Sequence, residues 1–68
     1  MKLLDVVAAL QDFPGRNVAK GQVGTIVEEL DDNNVLVEFA DMEGVAYAIS
    51  PIPVDMLMEL KHTPAIAA

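Results

Sequence analysis

Gly21-Gln22-Val23-Gly24-Thr25-Ile26-Val27-Glu28 places two glycines three residues apart and runs them directly into a β-branched trio. Glycine serves where the backbone needs positive φ or close approach, while Thr25, Ile26 and Val27 suit a pleated, half-buried surface. The stretch predicts a tight turn feeding a strand of a small β-barrel, with Gly21 and Gly24 as structural turn residues.

Downstream, Val23 to Leu30 reads as a second strand and Asn34 to Ala40 as a third, joined by Asp31-Asp32-Asn33-Asn34. Such residues tolerate left-handed conformations and favour hairpin turns. The two-residue side-chain period puts Val35, Val37 and Phe39 on one face, expected to be core, and Leu36, Glu38 and Ala40 on the other. Asp41-Met42-Glu43-Gly44 resembles a type I turn closed by a left-handed glycine, Gly44, and Val45 to Ile49 follows as a fourth strand. Ser50-Pro51-Ile52-Pro53 is expected to end that strand, since proline donates nothing to a ladder. Val54 to Leu57 then predicts a single 3₁₀ turn, and Met58 to Lys61 a fifth, edge strand.

Upstream, Leu3 to Leu10 fits both helical and alternating periods, and is read as the first strand because the remainder of the chain is β. Pro14-Gly15 marks a turn within a long polar connection over residues 11–22. The expected architecture is all-β: a five-stranded Src-homology-3-like barrel over residues 1–61, with one 3₁₀ turn before the last strand and a flexible tail at 62–68.

The succession LLDVVAAL, GQVGTIVEEL, VLVEFAD, GVAYAI and PVDMLMEL resembles, over residues 3–60, an uncharacterised bacterial family of short Src-homology-3-like proteins carrying a GxxGTIVE motif. The glycine-turn element alone also resembles ribosome-associated KOW modules and the barrel of nitrile hydratase beta subunits. The larger resemblance is to a domain of unknown function, so it implies fold rather than activity. It further implies a small partner encoded beside a larger protein, sometimes a nuclease-like toxin.

Sixty-eight residues with no cysteine exclude disulfides and thiolate metal sites, and a lone His62 cannot assemble a zinc site. A chain this short buries only roughly 60% of its extended surface, yet 53% of it is hydrophobic. Some apolar surface is therefore expected to meet a partner, either another copy or another protein. The net charge of −7 opposes nucleic-acid binding, which needs a positive field. Met1 to Asp5 reads as neither a signal peptide nor a membrane span, so a cytoplasmic location is expected.

Seven of the eleven acids, Glu28, Glu29, Asp31, Asp32, Glu38, Asp41 and Glu43, lie in a run free of Lys and Arg. They form either a docking face for a basic partner or a solubilising surface. Met56, Leu57 and Met58 form either an adaptable apolar contact or core filling. Asp31 to Asn34 lacks the glycine and terminal glutamate of a calcium loop, and Asp41 with Glu43 lacks the desolvation needed for acid-base work. No catalytic residue, cofactor site or metal site is expected. The sequence thus supports a small acidic, non-enzymatic protein-binding module, an accessory subunit or antitoxin-like neutralising partner. The alternatives are a structural homo-oligomer and a translation-associated nucleic-acid-binding module.

Overall fold

Alternating apolar residues in short, turn-bounded runs build one antiparallel sheet. The computed structural model describes residues 1–40 and 46–60, the side chains of 46 and 47 excepted. Its strands are β1 (Val6–Ala9), β2 (Val23–Glu29), β3 (Asn34–Ala40), β4 (Ala46–Pro53) and β5 (Leu57–Glu59). A 3₁₀ turn at Pro14–Arg16 lies in the β1–β2 connection, and another at Val54–Met56 leads into β5. The sheet order is β4-β3-β2-β1-β5. The all-β, five-stranded architecture with a 3₁₀ turn before the last strand is as expected from the sequence, but the expected barrel is not closed: β4 and β5 are the two edges of the sheet.

The inner face carries the core. Phe39, Ile26, Ile52, Val7, Val35 and Val37 are essentially solvent-free, joined by Ala9, Val18 and Leu57. Val35, Val37 and Phe39 are core as expected, and each fully buried large side chain contributes roughly 1.5–3 kcal/mol relative to exposure. Cross-strand registers explain the packing: Phe39 faces Ala48 on β4 and Gly24 on β2, so the large ring is accommodated by two small neighbours.

Several expected boundaries are corrected. The first strand begins at Val6 rather than Leu3, because residues 2–5 turn back on themselves: the Asp5 amide donates to the Lys2 carbonyl, and the Lys2 amide to Asp5 Oδ2. Leu4 there has φ 70°. Gly21, with φ 88°, is the turn residue, whereas Gly24 lies inside β2 and is required for close approach rather than for a turn. The fourth strand continues through Ser50, Pro51, Ile52 and Pro53 instead of stopping there, since β4 is an edge strand whose outer side needs no ladder donors. Leu57 leaves the 3₁₀ turn to begin β5, and Leu60 falls just beyond that strand. The 41–44 turn with Gly44 and the 62–68 tail lie outside the described residues.

Candidate functional site

Charge on the described strands has one sign. The five strands contain Glu28, Glu29, Glu38 and Glu59, and no lysine or arginine. Glu28 and Glu29 are exposed near the end of β2, and Asp31 and Asp32 are exposed in the turn that follows. Glu38 is half-buried on β3. Asp41 and Glu43 lie outside the described residues.

A register shift between Ile26 and Glu28 accommodates an extra residue, Val27. Strict alternation from the buried Ile26 would aim Glu28 into the core. The bulge instead sets Glu28 opposite Leu36, on the outer face with Glu38. One inserted residue thereby keeps a carboxylate in water and adds it to the acidic surface.

The turn is internally braced. Asp31 Oδ1 accepts the Asn33 amide at 2.7 Å, and the Asn34 side-chain amide reaches both Asp31 oxygens at 3.1 and 3.2 Å. These donors, the Asn33 N–H foremost and then the Asn34 side chain, hold the Asp31 carboxyl below its ordinary value. The Asp31 carboxylate thus serves the hairpin turn. Among the described residues no group of three or more His, Asp or Glu is placed to hold a metal ion.

Met56, Leu57 and Met58 do not share one surface. Leu57 is core at 4% exposure, Met56 packs partly against the core from the 3₁₀ turn, and Met58 alone of the three is well exposed. Sequence reasoning missed the residues that accompany it. Val6, Val23, Ile49 and Leu60 are also substantially exposed. Pairings put Met58, Ala8 and Val23 in one row and Val6, Thr25, Glu38 and Ile49 in the next, all on the outer face. The signal available in the sequence was that β1 and β4 are apolar at successive positions, so that neither face could be wholly polar.

The β1–β2 connection forms an open depression of about 470 Å³ lined by Asp12, Pro14, Asn17, Val18, Ala19 and Gln22. Its polar groups brace the loop: Asp12 Oδ1 accepts the Lys20 amide and Gln22 Oε1 the Ala19 amide. Arg16 lies over the Phe13 ring at 5.7 Å and donates to the Pro51 carbonyl, so this cation ties the loop to the β4 edge.

No helix among the described residues is long and apolar enough to cross a membrane. A family model described as a domain of unknown function matches residues 3–59. Comparison with curated proteins and with solved structures returns no match.

Proposed function

Since the chain belongs to the DUF4926 family, whose description assigns no activity, we propose from its own geometry that it is a small, acidic, non-enzymatic protein-binding module. It acts as the accessory or neutralising subunit of a larger basic protein, in the cytoplasm. The observation that carries this reading is the single sign of charge: every charged side chain on the described strands is a glutamate, and the β2–β3 turn adds Asp31 and Asp32. Such a field accelerates encounter with a cationic surface and suppresses binding of acidic ones.

Arg16 is already engaged with Phe13 and Pro51, and the strands offer no cation to follow a phosphate backbone, which supports a protein partner over nucleic acid. The apolar outer face favours a structural homo-oligomer as the second reading, separated from the first by solution mass. The kinetic test is association with a partner recovered from native lysate, compared between low and high salt. Its on-rate should fall roughly tenfold or more as salt rises, and Asp31→Asn with Asp32→Asn should reduce both the rate and its salt dependence. An on-rate indifferent to salt overturns the steering role.

A further inference from the structure

We propose that the outer face of the sheet, centred on Val6, Val23, Ile49 and Met58, is the docking surface for a cationic amphipathic segment of a partner protein. This rests on the preceding reading and names the contact it left open. Ile49 is 58% exposed, Val23 and Met58 each 49%, and Val6 41%. They belong to two adjacent rows of one face rather than being scattered over the surface.

Ala8 is buried between Met58 and Val23, its partners on the two flanking strands, so contact along this row is made by the two larger side chains. In the next row Glu38 lies between Thr25 and Ile49, and Glu28 lies opposite Leu36 on the same face. The surface therefore offers apolar contact and carboxylates together, and none of its strand positions offers a cation.

That combination selects the occupant. A two-fold contact between copies of this face would gather Glu38 and Glu28 of two chains, each of net charge −7, into one interface with no lysine or arginine on the described strands to pair them. A segment with leucine-like side chains on one face and lysine or arginine along its flanks satisfies both features at once.

The test uses a synthetic helical peptide with leucines on one face and lysines on the other, and a lysine-serine peptide of equal charge without an apolar face. Titration into the ¹⁵N-labelled protein should shift the amides of Val6, Val23, Thr25, Glu38, Ile49 and Met58. The leucine-lysine peptide should bind about tenfold tighter than its serine counterpart. Val23→Thr with Ile49→Thr keeps β-branched residues at exposed strand positions and should lose about tenfold in affinity with the unfolding midpoint unchanged. Met58→Gln, in a different strand, should weaken binding in the same direction and guards against a folding artefact.

Shifts confined to residues 28–32, with binding unaffected by the Val23, Ile49 and Met58 variants, overturn the docking face while leaving acidic steering standing. No binding of either peptide overturns the docking face, and the salt dependence of partner association then decides separately whether the acidic module reading survives. A concentration-dependent dimer abolished by Val23→Thr with Ile49→Thr assigns the surface to a second copy and overturns the proposal.

Discussion

At the scale of single residues, the two glycines of the opening motif serve different ends. A Cβ on Gly24 would approach Val37 Cγ1 to 2.7 Å, the Glu38 carbonyl to 2.9 Å and Phe39 Cδ1 to 2.9 Å. Gly24→Ala should therefore cost about 1–3 kcal/mol through overpacking. A Cβ on Gly21 meets nothing within 4 Å, so Gly21→Ala should cost only the left-handed backbone, about 1–2 kcal/mol. Urea unfolding of both variants checks the two mechanisms, and a neutral Gly24→Ala refutes the close-approach role. The spacing identified both glycines as special but could not show which one was folded beneath Phe39, because that neighbour comes from another strand. Asp31 makes a different prediction. Its depressed carboxyl pKa means that its stabilising contribution is fully present above the unfolded value and is lost as pH falls through the folded one. Asp31→Ala should thus lower the urea midpoint near neutral pH, with the gap from the parent protein closing as the solution is acidified. A gap that stays constant into strong acid would contradict a role for the ionised carboxylate.

At the scale of elements, the meander from β2 through β3 was legible because alternation and an Asp/Asn turn coincide. β4 was not, since reading Pro51 and Pro53 as terminators assumes a strand with two paired sides. Arg16 reaches the Pro51 carbonyl, which marks that residue's main-chain groups as facing the free edge. Prolines on such an edge deny donors to another strand and protect against edge-to-edge pairing. Restoring them, Pro51→Val with Pro53→Val, should produce concentration-dependent association in light scattering while the monomer stays folded at low concentration. A variant that remained monomeric at high concentration would show that the edge is guarded by something other than its prolines. The second apolar face of β1 and β4 was equally hard to assign, because alternation separates two faces without saying which one is covered. Ala48 turns inward beneath the packed Phe39, and Ile49 is consequently sent outward.

At the scale of the whole molecule, a net charge of −7 on 68 residues works against compaction. Added sodium chloride should raise the thermal midpoint by screening this repulsion, an effect that saturates as the screening length falls below the spacing of the carboxylates. A midpoint insensitive to salt would mean that the acids are too dispersed to act collectively, weakening the case for a steering field as well. The acidic character and the excess of apolar residues were both visible in composition; their meeting on one face was not, because it depends on the Val27 bulge and on registers linking all five strands. The strand order also shapes how a nascent chain matures. The β2–β3 hairpin can assemble once residue 40 has cleared the ribosome, but one flank of β1 stays bare until Glu59 emerges to pair with Val7. That closure spans most of the sequence and costs more loop entropy than the local β2–β3 hairpin. Until β5 arrives, Val7 and Ala9 present an unfinished strand, so the domain completes its sheet only when its last strand is in place.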